Sequence, residues 1–184
     1  MKKLILALAL VGALAAATAA TAAAPAVTLS QNRSTIFFGG TIGLTGQITP
    51  AASDQKVTIT LHFNGRVVAK YTSANQTATS DELNFLVRPR VSLSKYAHNR
   101  YAARVVADRP FVGRYVWIQR WNARAHAWRN VIRVQLKHYV SSSGASTTAF
   151  RLHFGRLVKL RAFLNDASAR PDYVRSWSNF VVSR

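Results

Sequence analysis

The chain has 184 residues, 25 Lys or Arg against 6 Asp or Glu, and a formal net charge of +19. It contains no cysteine, which excludes a disulfide, a thiolate metal site, a lipid-modified cysteine and a thiol nucleophile. Whatever fold it adopts must be held by its core, and a surface this basic favours anionic partners over cationic ones.

In chain order, the first 24 residues read as a targeting segment. Lys2 and Lys3 precede the apolar run LILALALVGALAAA, and Ala20-Thr21-Ala22 and Ala22-Ala23-Ala24 offer small-residue cleavage sites. That order predicts a cleaved signal peptide, with an apolar part too short for the ~20 residues of a comfortable membrane span. A secreted or envelope-associated protein with no span after cleavage is expected, and the ending NFVVSR suggests neither an apolar anchor nor a sorting motif. Residues 25–89 then hold five basic and three acidic groups, whereas residues 90–184 hold eighteen and three, a net +15. Eighteen of the 25 basic residues are Arg, which suits bidentate contacts to phosphate or carboxylate, although codon bias in a GC-rich genome would give the same excess.

Beyond the signal, short apolar–polar alternations bounded by Gly, Pro, Asn and Ser predict strands throughout. VTLS and TIFFGGTIGLTGQITP open the series. In KVTITLHF, Val57, Ile59, Leu61 and Phe63 share one face, and Asn64-Gly65 signals a tight turn into RVVAKY, so residues 56–71 read as a hairpin. LNFLV follows, then YAARVVA, YVWIQRW, WRNVIRVQL, TAFRLHF, LVKLRAFL and NFVVS. Strands at such spacing predict an all-β protein of antiparallel β-sandwiches. Pro89 in LVRPRVSLS marks a boundary, giving a short domain at 25–89 and a basic one at 90–184 of roughly the 100 residues of an immunoglobulin-like sandwich.

The motifs then acquire a family resemblance. Phe38-Gly39, Leu44, Gly46, Ile48 and Pro50 fit the opening strand pattern of bacterial immunoglobulin-like domains that occur in tandem in secreted actinobacterial proteins. VRPRV at 87–91 resembles the junction between two such repeats. Gly113, Val116, Ile118, Gln119, Arg120, Trp128 and Val131 resemble a central hairpin, and LRAFL at 160–164 and SWSNFVV at 176–182 resemble closing strands. The resemblance implies two tandem immunoglobulin-like sandwiches. The first departs from the pattern by lacking a pair of strands, so a reduced sandwich that leans on the second for part of its core is expected.

The stretch YVWIQRWNARAHAWRNVIRVQL at 115–136 carries three tryptophans and no acid. Paired about Arg124-Ala125, it sets Trp121 opposite Trp128, Ile118 opposite Val131 and Arg120 opposite Arg129. Like charges face each other in that register. A pairing shifted by one through a bulge, with Arg120 stacked on Trp128 and with Val116, Ile118 and Val131 in the core, is preferred. Trp117, Trp121 and the loop residue Arg124 then remain as candidate ligand-binding residues. The rings serve first to cover the sheet or pack on the first domain, second to contact a glycan or cell-wall polymer, and last to stack on nucleic acid.

Catalytic signals are missing. His62, His98, His126, His138 and His153 show no metal-binding spacing, and His62 and His153 are expected to face solvent. The acids sit at predicted turns, and Asp166 and Asp172, in NDASARPD, suit turn formation better than catalysis or calcium binding. No catalytic residue, metal or cofactor is expected. The sequence reads as a non-enzymatic structural, adhesive or recognition protein, with a polyanion binder (cell-wall polymer, glycan or extracellular DNA) or a protein-binding module as alternatives.

Overall fold

A computed structural model describes residues 24–49, 56–62, 66–73, 76–154 and 157–183. The signal segment through residue 23 and the Asn64-Gly65 turn lie outside the described residues, as do Asp54 and the side chain of His62. The protein is all-β, with one short helix among the described residues.

Among the described residues, eight strands precede Pro89. They are β1 (Ala26–Gln31), β2 (Thr35–Phe37), β3 (Leu44–Thr49), β4 (Lys56–His62), β5 (Arg66–Ser73), β6 (Gln76–Thr79), β7 (Leu83–Asn84) and β8 (Leu86–Arg88). β1 and β3 form an antiparallel pair, β4-β5-β6 form a second sheet with β7 also on β5, and β2 runs parallel to β8. The expected hairpin forms, pairing Val57 with Tyr71 and Leu61 with Val67. Alternation along β5 buries Val67, Ala69 and Tyr71. On β4, by contrast, Val57 and Ile59 stay 40% and 53% exposed. Among the described residues the two-stranded β1–β3 pair lies against them, and an open groove remains between Val27, Leu29 and Ile48 on one side and Val57 and Ile59 on the other.

After Pro89 the chain forms β9 (Arg90–Ala97), β10 (Arg100–Val106), β11 (Tyr115–Asn122), β12 (Ala127–Gln135), β13 (His138–Val140), β14 (Ala145–Arg151), β15 (Lys159–Leu164), helix α1 (Asp166–Ala169), β16 (Ser176–Trp177) and β17 (Val181–Val182). One sheet has the order β13-β14-β10-β9 and the other β12-β11-β15-β16, with β17 also paired to β15. The two sheets enclose one core. Period-two alternation sends Tyr101, Ala103 and Val105 inward from β10, Val116 and Ile118 from β11, and Leu160, Ala162 and Leu164 from β15. Phe111 and Leu136 fill its end. Each fully buried large side chain contributes about 1.5–3 kcal/mol of transfer free energy, which meets the demand that a cysteine-free chain cohere through its core.

Pro89 is buried and separates β8 from β9, where a missing N–H breaks the ladder. The segments flanking it bind the two halves together. Phe38 and Val87 pack against the second core, Phe38 meets Tyr173 edge-on at 6.5 Å, and the Val174 N–H donates to the Val87 carbonyl at 3.0 Å.

One three-strand assembly occurs twice. In the first half Leu83 of β7 pairs with Val67 of β5, and Ala78 and Thr79 of β6 pair with Tyr71 and Lys70. In the second, Val181 of β17 pairs with Leu160 of β15, and Ser176 and Trp177 of β16 pair with Leu164 and Phe163. A serine closes each copy in the same way. The Ser80 N–H donates to the Ala69 carbonyl while its Oγ accepts from the Ala69 N–H and donates to the Asp81 carbonyl. Ser178 does the same with Ala162 and Asn179. In each case one hydroxyl replaces a ladder carbonyl for a buried N–H that would otherwise go unpaired.

Candidate functional site

The outer face of the β12-β11-β15-β16 sheet collects the aromatic and cationic side chains. β11 sends Trp117, Gln119 and Trp121 outward, opposite to its buried Val116 and Ile118. β15 likewise sends out Lys159, Arg161 and Phe163, and the registers set Trp117 beside Phe163 and Gln119 beside Arg161.

The hairpin register differs from the shifted pairing expected above. Trp121 lies opposite Trp128 and Arg120 opposite Arg129, so Arg120 does not stack on Trp128. A bulge is present, but between Ile118 and Gln119, where Val131 is the extra residue. Ile118 consequently faces Ile132, and Val131 is 41% exposed instead of entering the core. Two contacts fix this outcome. The Trp121 and Trp128 rings meet at 5.4 Å and 61°, worth about 0.5–1.5 kcal/mol, and the Gln119 Nε2 donates to Asn130 Oδ1 at 2.9 Å. The facing arginines lie near the hairpin tip on an edge strand, where solvent screens their repulsion.

Arg161 supplies the guanidinium that Arg120 does not. Its Cζ lies 4.3 Å from the Trp128 ring centroid and 5.8 Å from that of Trp177, and Arg88 reaches the Trp177 ring from β8 at 4.9 Å. A column therefore crosses the sheet from Trp121 through Trp128, Arg161 and Trp177 to Arg88. The Arg161 Nε donates to Gln119 Oε1 at 2.8 Å. Because arginine has no acceptor, that bond fixes the amide of Gln119, leaving its Nε2 to donate to Asn130. Burial pushes the Arg161 guanidinium below its ordinary pKa, since the charged form loses hydration. No carboxylate pairs with it among the described residues.

The three sequence candidates fall in different places. Trp121 is half-buried and joins the column, touching Trp128 and, at 6.4 Å, His126. Trp117 lies on the same face, half-buried in register between Arg133 and Phe163, and the Trp121 ring is inclined at 61° to that of Trp128. Arg124 is exposed at the tip of the four-residue loop, its N–H bound to Asn122 Oδ1 at 3.1 Å, with His126 in the left-handed conformation. Arg161, Trp177 and Arg88 were not among the sequence candidates. The outward position of Arg161 was legible from the alternation in KLRAFL, but its neighbours were not, because they come from three other strands.

The acids occupy structural positions. Asp166 Oδ1 accepts from the Arg175 N–H at 2.8 Å, and Asp172 pairs with Arg109 at 3.0 Å. Arg109 and Arg114 also clasp the α1 end, donating to the carbonyls of Ala169, Arg170 and Ser168. His153 is exposed, as expected, with Nδ1 2.8 Å from Asn99 Nδ2. Among the described residues no group of three His, Asp or Glu side chains is placed to hold a metal ion, and no helix is long and apolar enough to cross a membrane. The chain matches no family model and no curated protein.

Proposed function

We propose that this is an exported, non-enzymatic structural, adhesive or recognition protein of two tandem immunoglobulin-like sandwiches, the first reduced, that follow a cleaved signal peptide. The repeated three-strand assembly closed by Ser80 and Ser178 supports the tandem reading. The order β13-β14-β10-β9 opposite β12-β11-β15-β16 supports the immunoglobulin-like one. The exposure of Val57 and Ile59, where the equivalent Val116 and Ile118 are fully buried, supports a reduced first repeat.

One observation carries the recognition role, namely that among the described residues the Arg161–Trp177 part of the aromatic–guanidinium column has no counterpart in the first copy. The positions of the first half equivalent to Trp117, Gln119, Arg161 and Trp177 are Thr58, Thr60, Val68 and Thr79. The same strand register is thus built without Arg161 and Trp177, so the register does not require them. The net +15 of residues 90–184 favours an anionic partner, cell-wall polymer or glycan ahead of nucleic acid. Pull-down of the mature protein by envelope fractions over a salt series tests this. Retention at low salt that falls steeply as salt rises is expected, because bound counterions are released. An absence of retention at low salt refutes the recognition role and leaves the structural one.

A further inference from the structure

We infer that the Arg161 column is a carboxylate-binding site for a linear acidic polysaccharide, one whose sugars carry carboxylates rather than phosphates. This rests on the recognition reading above and names its ligand. The Arg161 guanidinium lies near two indoles, its Cζ 4.3 Å and 5.8 Å from their ring centroids, and its Nε is tied to the buried Gln119. Its two terminal amino groups take no hydrogen bond among the described residues, so they form a fixed fork with no internal acid to fill it. A ligand group that takes both amino groups meets them edge-on, in the guanidinium plane. A planar carboxylate lies flat there and takes two parallel N–H···O bonds. A tetrahedral phosphate or sulfate also carries oxygens out of that plane, in a setting with two indoles close by.

The surroundings select a sugar polymer. Nucleic-acid bases need free aromatic faces to stack on, but Trp128 and Trp177 each already carry a guanidinium over the ring. What remains open is the rim of a 42%-exposed Trp177 and the exposed Asn130, whose Oδ1 is taken by Gln119 and whose Nδ2 donors face away from that bond. A ring edge on one side of Arg161 and amide donors on the other, across the sheet, suit the C–H edges and hydroxyls of successive pyranoses in a chain. Arg88 and Arg133, stacked on Trp177 and Tyr115, extend the positive face along the sheet for successive carboxylates.

The test is calorimetric titration of the mature protein with polygalacturonate at low salt. Fully methyl-esterified polygalacturonate, polyglutamate and duplex DNA serve as comparison probes. Polygalacturonate should bind, its ester should not, and the other two should bind more weakly. Arg161→Lys keeps the charge but loses the fork, and should weaken binding about tenfold or more, the equivalent of one charge-assisted hydrogen bond. Arg151→Gln, on the opposite sheet, should change it less than threefold. If Arg161→Lys lowers the melting temperature enough to obscure the result, Gln119→Glu substitutes for it by filling the fork from inside with the arginine retained. Equal polygalacturonate binding by wild type and these variants overturns the Arg161 site but leaves the recognition reading intact. Equal binding of the methyl ester, or tighter binding of polyglutamate or DNA, overturns the ligand assignment. If no probe and no envelope fraction is retained, both fall.

Discussion

The contact of Arg88 with Trp177 ties the last strand of the first half to the outer face of the second, and its strength follows from its surroundings. The Arg88 Cζ lies 4.9 Å from the ring centroid, and its Nε is buried without a hydrogen-bond partner. Cation–π pairs contribute about 0.5–1 kcal/mol when exposed and about 2 when desolvated. The unpartnered Nε places this pair near the upper figure, so a double-mutant cycle on Arg88→Met and Trp177→Ala should return a coupling of about 1–2 kcal/mol. Methionine keeps an apolar stem of similar length, so the cycle reads the charge on the ring and not lost packing. Urea unfolding of the mature chain, followed by circular dichroism, gives the four stabilities. The coupling should persist at high salt, because a cation pressed on a ring is shielded from mobile ions. A coupling below about 0.3 kcal/mol, the level at which independent sites already add, would show that the two side chains are merely adjacent.

Other predictions concern groups the fold has buried or clasped. The Tyr101 hydroxyl is buried without a partner and the ring is fully covered, so Tyr101→Phe should leave stability unchanged or raise it by about 1 kcal/mol in thermal melts. Burial also raises the Tyr101 and Tyr173 phenols above their ordinary value of 10.0. Their contribution is therefore complete below the unfolded value and lost as pH rises past it, since the unfolded phenols ionise first. Stability should fall above about pH 10, and less steeply in Tyr101→Phe. Arg114→Ala removes two hydrogen bonds of 2.7 Å to the carbonyls of Ser168 and Arg170 and should cost about 1.5–3 kcal/mol, with faster amide exchange confined to α1. Gly144→Ala should cost at least about 1–2 kcal/mol for its positive φ alone. A Cβ there would also stand 2.8 Å from the Ala107 carbonyl oxygen. An unchanged melting temperature in that variant would contradict the turn geometry.

Much of the fold was legible because period-two alternation is a local property. Residues 56–71 announced their hairpin, YAARVVA its strand, and Pro89 the break between β8 and β9. β13 escaped because HYV is three exposed residues without alternation. α1 is a single turn capped by Asn165 inside a loop, too short to show a helical period. The hairpin register was weighed on one pair, Arg120 with Arg129, whereas Trp121–Trp128 and Gln119–Asn130 together outweigh that repulsion. The candidate site was half legible. Trp121 belongs to it, but Arg161, Trp177 and Arg88 become its neighbours only through the order of strands in the sheet, which no single segment encodes.

That order also bears on what the arginine excess does. Codon bias would scatter arginines without regard to environment, yet those of the second half recur against aromatic rings and backbone carbonyls. Arg109 and Arg114 both lie over Phe111 while donating to the α1 carbonyls, Arg133 covers Tyr115, and Arg161 bridges two indoles while bonding Gln119. Each of these uses a planar, delocalised cation that stacks on one face and donates from its edge, which an ammonium group cannot do in one geometry. Arg109 and Arg114 spend their edges inside the protein, on carbonyls and Asp172. Arg161 spends only its Nε there. Among these stacked arginines it alone is tied through Nε to a buried amide with two indole rings near it, 4.3 Å and 5.8 Å from its Cζ.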